Sequence, residues 1–480
     1  MTNLKLRRIN LADAAGPAQL AALRAQAASL GDVVSPRSAE LTAKVFGAPL
    51  TPTQSVERIC GDVRQRGIDA VLHYTEQFDK VRLTPDTVRV PPADLAEAHK
   101  SADRKLLETV RRIRQNVLSF QLGILHSNAT LTVHGKYDLQ LRYRPMRRIG
   151  VCVPGGAAAY PSTLLMTICP AQAAGVKSIA VVMPPTGTGA ASPDLLAVCH
   201  ELGVNEVYRV GGAQAVAALA YGVDGIPPVD MIVGPGNLFV TLAKKHVFGR
   251  VNIDCLAGPS EVVVLADQSA QPEYVAADLI AQAEHSPGVS LLVTWHAPLL
   301  DAVAAALERQ LAKLPRAELA RDSLERFGAL IAVPNEKEGV KLTNELAPEH
   351  LHIQTTDSRA VGEKIDAAGA IFLGAYSPVA LGDYVAGPSH VLPTGATARF
   401  ASGLTANDFL RRSSVIQFTP AGLNHVADDV QLLAEKEGLT GHSASVNIRR
   451  TTGELNGIVD QAARQRYGTP GSWPMTKHSN

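Results

Sequence analysis

Gln282 and His285 close a segment, Pro272 to His285, in which Val275, Leu279 and Ala283 recur at helical spacing. Three positions apart on a helix, the two polar side chains project from one face and could share a ligand. Asp383 and His390 lie in a stretch broken by Gly382, Gly387 and Pro388, and His442 follows Gly438-Leu439-Thr440-Gly441. Together Gln282, His285, Asp383 and His442 would offer oxygen and nitrogen donors without thiolate, a set that suits zinc or another borderline divalent ion. The donors are scattered from position 282 to position 442, unlike a compact HExxH pair, and a histidine at a helix end also suits the helix dipole. Spacing alone leaves both readings open.

Glu349-His350 follows Ala347-Pro348, where the proline stops the preceding helix and presents the pair at an element boundary. One member could take a proton from a substrate while the other activates water. Sequence neighbours point differently, so the two are expected to act on different protons; a solvated Glu beside a capping His is the plainer alternative. Three small-residue turns, Pro154-Gly155-Gly156, Gly211-Gly212-Ala213-Gln214 and Gly234-Pro235-Gly236-Asn237, each open a predicted helix. Glycine lets a ligand approach the backbone, and a helix N-terminus offers free N–H groups to an anion such as a pyrophosphate. None of the three is GxGxxG, so the ordinary dinucleotide fingerprint is absent. The cysteines sit mostly among apolar residues, as in Ile168-Cys169-Pro170, and read as small buried hydrophobes rather than nucleophiles.

The elements that must position these residues alternate. From Arg148 onward, the short apolar runs Ile149–Val153, Ser178–Met183, Glu206–Val210 and Met231–Val233 read as strands separated by helices. A second series follows at Val262–Leu265, Ser290–Val293, Leu330–Val333 and Ala370–Leu373. Val- and Ile-rich strands with intervening helices predict an α/β fold of two units, each a parallel sheet covered on both faces. Ahead of them, an Ala-rich stretch from Ala18 to Ala28 predicts a helical arm, and Ser55–Leu72 and Leu106–Leu118 read as structural helices. Ser377 to Thr405 is too rich in breakers for a regular element, Leu432–Glu437 reads as a short helix, and the chain from Gly468 reads as a frayed tail.

Composition narrows the function classes. The 480 residues are 46% hydrophobic and 19% charged, which fits a globular chain of more than one domain. Lys and Arg number 46 against 45 Asp and Glu, a formal charge of +1 that offers no global attraction to a polyanion, so no nucleic-acid partner is expected. The five cysteines, Cys60, Cys152, Cys169, Cys199 and Cys255, form no CxxC pair or even framework and suggest a reducing compartment. With neither a signal-like N-terminus nor a long apolar run, a cytoplasmic location without membrane association is expected.

Ile253-Asp254, Ala257-Gly258-Pro259-Ser260-Glu261 and Gln282-Ala283-Glu284-His285 together resemble the signature of the histidinol dehydrogenases. Pro348-Glu349-His350-Leu351, Gly382-Asp383-Tyr384, His390-Val391-Leu392-Pro393-Thr394 and Glu437-Gly438-Leu439-Thr440-Gly441-His442 extend the resemblance, as do the three glycine turns, over roughly residues 40–450. It implies oxidation of L-histidinol to L-histidine through histidinaldehyde with two NAD+, the last step of histidine biosynthesis. By position, Gln282, His285, Asp383 and His442 match the zinc ligands, one ion per subunit. Ser260, His350, His390 and Glu437 match substrate-contacting positions beside those ligands, and Glu349 and His350 match the catalytic pair. Gln214 and Asn237 match cofactor positions, as does Cys152, where many members carry an aromatic residue, commonly Tyr.

The resemblance also implies two incomplete Rossmann-like parallel-sheet domains with small helical terminal segments. A helical arm would span 1–45 and a first domain 46–150 plus 261–404, with an NAD-binding domain, 151–260, inserted in it. Residues 405–480 would cross to the partner of a homodimer, so that Glu437 and His442 complete the other subunit's active site. Two alternatives remain: a zinc- and NAD-dependent relative acting on another small polar alcohol such as sulfopropanediol, and a non-catalytic zinc-stabilised scaffold, against which Glu349 and His350 argue.

Overall fold

The structure, a computed structural model, describes residues 4–29, 36–154, 160–186, 189, 191–285, 287–315 and 317–451. Gly155 and Gly156 of the first glycine turn and the expected tail from 452 onward lie outside the described residues. The chain divides into two compact units, one within Met1–Leu125 and Pro145–Leu410, the other within His126–Arg144 and Arg411–Asn480.

Two parallel sheets make up the first unit. The six-stranded sheet runs in the order Arg7–Asn10, Gly328–Ala332, Val289–Thr294, Glu261–Ala266, His350–Gln354, Ala370–Leu373. Alternation along its strands feeds two cores: Val262 and Val264 join Leu279 and Val303 on one face, while Val263 and Leu265 join Leu342 and Leu346 on the other. The five-stranded sheet has the order Glu206–Tyr208, Ser178–Val182, Arg148–Cys152, Met231–Val233, Asn252–Ile253 and divides its side chains in the same way. Each sheet reverses its direction of growth at one place, between Glu261–Ala266 and His350–Gln354 in the larger and between Arg148–Cys152 and Met231–Val233 in the smaller. Such switch points open crevices beside a sheet.

In the second unit, Ala129–Val133 pairs antiparallel with Tyr137–Pro145, and Leu410–Phe418 adds to the latter strand. The helices Pro420–Lys436 and Thr440–Thr451 follow. The short helix expected at Leu432–Glu437 is thus the end of a longer one, whose start is fixed by Thr419 accepting a hydrogen bond from the Gly422 N–H at 3.0 Å. The breaker-rich stretch from Ser377 contains a helix, Val379–Tyr384, and a single 3-10 turn, Thr397–Arg399, before Gly403. Within the expected helical arm, Arg7–Asn10 is a strand whose one buried side chain is Ile9, too little to announce a strand in the sequence. No helix among the described residues is long and apolar enough to cross a membrane.

Candidate active site and cofactor cavity

The carboxyl ends of the five-stranded sheet open into a cavity of about 790 Å³. Cys152, Gln214 and Asn237, from three different strand-to-helix connections, all line it. Gly234 has φ +101°, and a Cβ there would fall 2.2 Å from the Cys152 carbonyl oxygen, so only glycine lets this turn cross the neighbouring strand end. The turn is held from below: the Asp254 carboxylate accepts from the Gly234 N–H at 2.7 Å and pairs with buried Lys244, which donates to the Gly234 carbonyl at 3.1 Å. Asn237 caps the helix Leu238–Val247 by accepting from the Phe239 and Val240 N–H groups at 3.1 and 3.2 Å. With its oxygen committed to the cap, Asn237 has its Nδ2 donors to offer a ligand. Burial pushes the Cys152 thiol up to about 12, which rules it out as a nucleophile near neutrality.

A second constellation lies at the amino edge of the six-stranded sheet, where Glu261–Ala266 and His350–Gln354 start side by side with His350 opposite Val262. Glu349 Oε2 accepts from Ser260 Oγ at 2.6 Å and from the Glu261 N–H at 2.8 Å. Glu261 returns the arrangement, its Oε1 accepting from the Glu349 N–H at 3.3 Å and the Gly395 N–H at 3.0 Å. Burial pushes both carboxyls up to about 7, and for Glu261 the neighbouring Glu349 charge adds to the effect. His350, 4% exposed, has Nδ1 3.1 Å from the Glu261 carbonyl. A carbonyl can only accept, so Nδ1 carries the hydrogen and Nε2 the lone pair, facing Asp383 Oδ1 at 3.7 Å. Burial lowers the His350 pKa against the opposing pull of Asp383, which keeps the ring neutral and basic at Nε2. The expectation that Glu349 and His350 point apart is corrected: Glu349 Oε2 stands 3.5 Å from His350 Nδ1, because both side chains turn to the start of the same neighbouring strand.

His390 is tied to this group through Nδ1, 3.0 Å from the Asp383 backbone carbonyl, and burial lowers its pKa too. Gln282 lies in the last turn of the helix Pro272–Ala283, with His285 just beyond it, and the His285 charge acts on Glu349. Gln282 is 3% exposed and its Nε2 is buried without a hydrogen-bond partner among the described residues. Since an amide can present either end, a buried Gln side chain of this kind beside His285 fits an electrophilic ligand such as a metal ion. Among the described residues of the chain no group of three or more His, Cys, Asp and Glu side chains could hold a metal. Glu437, at the end of Pro420–Lys436, and His442, in Thr440–Thr451, belong to the second unit and are exposed.

Sequence reasoning gave no separate role to Glu261, although it follows Ser260 directly and starts a strand. It also passed over a brace beneath the site, in which His352, fully buried, has Nδ1 2.7 Å from Asp278 Oδ2 and Nε2 2.8 Å from the Gly374 carbonyl. Asp278 sits one turn before Gln282, and His352 two residues after His350.

The family profile of histidinol dehydrogenase matches residues 50–450. A protein named histidinol dehydrogenase from Rhodopirellula baltica is 58% identical over 430 residues, covering 90% of this chain and 94% of that one. Another from Thermosynechococcus vestitus is 46% identical over 396 residues, covering 82% and 92%. The crystal structure of histidinol dehydrogenase from Elizabethkingia anophelis aligns with a TM-score of 0.83 at 29% identity, over 94% of this chain and 99% of that one.

Proposed function

This chain belongs to the histidinol dehydrogenase family, and we propose on that premise that it oxidises L-histidinol to L-histidine in two NAD+-dependent steps through histidinaldehyde, the last step of histidine biosynthesis. The observation that carries the reading is the buried Glu349–His350 pair, with a neutral imidazole whose Nε2 is basic and a carboxyl that burial pushes up to about 7. When bound, the metal would supply a fixed anchor for the substrate's imidazole and amine, and NAD+ would supply the hydride acceptor for each oxidation. Gln282, His285 and Asp383 would hold the ion together with His442 of a second subunit, and Cys152, Gln214 and Asn237 would line the dinucleotide site.

The chain's own groups then move protons. His350 Nε2 takes the hydroxyl proton, without which hydride cannot leave the carbinol carbon. An aldehyde must add water before it can lose a second hydride; Glu349 takes a proton from that water, His350 returns its proton to the aldehyde oxygen as the hydrate forms, and His350, neutral again, then deprotonates the hydrate. Ser260 and the Glu261 N–H hold the Glu349 carboxylate in place through the 2.6 and 2.8 Å bonds already described. His390 and Glu437 contribute to the substrate pocket.

NADH formation from L-histidinol, before and after chelation and zinc re-addition, tests this reading. Two NADH per histidinol, lost on chelation and restored by zinc, is the expected result. Turnover of sulfopropanediol in place of histidinol would overturn the substrate assignment.

A further inference from the structure

Among the described residues, the lining of the cavity at the carboxyl ends of the five-stranded sheet has one acidic side chain, Asp79, and neither lysine nor arginine. Asp79 ends the helix Ile68–Asp79, and its Oδ2 is buried with no hydrogen-bond partner among the described residues. Burial pushes the carboxyl up to about 6, and no cation among the described residues offsets the cost. The next residue, Lys80, is turned away and donates to the Gln77 carbonyl at 2.7 Å. A buried carboxylate oxygen lacking a donor in a ligand cavity is a group awaiting one from the ligand.

The same run of helices supplies Leu41, Ile59 and Phe78 to the cavity wall. These apolar side chains offer a face to a base, with Asp79 beside it as the acceptor for hydroxyls of the attached sugar. A phosphate in that position would meet a carboxylate and no compensating cation. We propose that Asp79 is the cofactor-specificity residue of this enzyme: its carboxylate accepts hydrogen bonds from the ribose hydroxyls of the cofactor's adenosine half and excludes a 2′-phosphate. The proposal rests on the dinucleotide reading of the cavity and adds to it the residue that selects NAD over NADP.

Binding of NADH, NADPH and NAD+ to the zinc-loaded full-length protein, measured by calorimetry without alcohol substrate, tests it in wild type, Asp79→Asn and Asp79→Ala. Wild type is expected to favour NADH over NADPH. Asp79→Ala should lose NADH affinity by roughly tenfold to a hundredfold, the effect of removing a charged acceptor, and should narrow the NADH-to-NADPH ratio. Asp79→Asn, nearly isosteric and still an acceptor, should lose less NADH affinity while relaxing the exclusion of NADPH, and it decides the matter if the Ala variant does not fold. An unchanged NADH-to-NADPH ratio in a variant that still binds NADH overturns the proposal. So does a change confined to the NAD+-to-NADH ratio, which would put Asp79 beside the nicotinamide. If wild type binds neither nucleotide, the dinucleotide reading falls and takes the proposal with it; NADH binding with an unaltered ratio removes only Asp79.

Discussion

For Glu349, burial and hydrogen bonding pull in opposite directions. Bonds from Ser260 Oγ and the Glu261 N–H favour the ionised form, yet burial outweighs them and the carboxyl is pushed up to about 7. The sign of the pH effect follows: below that value the group is protonated and cannot take a proton from water, and above it the base is available. Oxidation of histidinaldehyde should therefore rise with pH through about 7, and a flat profile across that range would remove Glu349 from its role. Ser260→Ala deletes a bond to the ionised form, so the rising limb should move to higher pH. Glu349→Gln keeps the shape but not the base, and should slow the second oxidation by roughly 10²–10⁴-fold while sparing the first. Single-turnover measurements starting from histidinol and from histidinaldehyde separate the two; equal loss in both would contradict the assignment.

The Pro272–Ala283 helix carries Gln282 and the His350–Gln354 strand carries His350, and the buried Asp278–His352 contact joins the two elements. Removing one partner of a buried polar pair leaves the other unmatched, so Asp278→Ala should cost about 3–5 kcal/mol in denaturant unfolding. It should also weaken zinc binding measured directly, because Gln282 is one turn away on the same helix; stability loss with unchanged zinc affinity would make the brace purely structural. This strand shows why part of the fold was hidden in the sequence. Glu349-His350 reads as an element boundary because Pro348 stops the preceding helix, and the three polar residues of His-Leu-His-Ile-Gln break the apolar run that marks the other strands; yet all five are buried, the polar ones facing partners from distant segments. The eight strands that were legible are dominated by apolar side chains, wholly so in Met231–Val233 and Ala370–Leu373, which need no such partners. The cavity was legible too, since its glycine turns follow the general rule for carboxyl ends of parallel strands. The Glu349–His350 site obeys no such rule: it lies at the amino edge of its sheet, and the exchange of N–H bonds between Glu261 and Glu349 joins positions far apart in sequence.

At the scale of the molecule, the donors are distributed unevenly. Of the donors proposed for the ion, the first unit carries Gln282, His285 and Asp383, one short of the four protein ligands of a closed zinc site, while His442 and Glu437 stand exposed on the second unit. An exposed histidine and glutamate that complete a site on another copy would make activity a property of the dimer, in which a two-fold axis makes each subunit both donor and acceptor. Subunit mixing distinguishes this from a site built within one chain. Glu349→Gln and His442→Ala are each expected to abolish histidine formation by the homodimer, which is the activity followed. In a mixed dimer, the chain carrying His442→Ala still has Glu349, and its partner still has His442, so one composite site is intact and the other carries both lesions. Equal mixing with random exchange makes half the dimers mixed, so activity should recover to about a quarter of the wild-type value. If each site drew all its residues from one chain, every site in the mixture would keep a lesion and no activity would return, however complete the exchange, which mass spectrometry of the intact dimers measures independently.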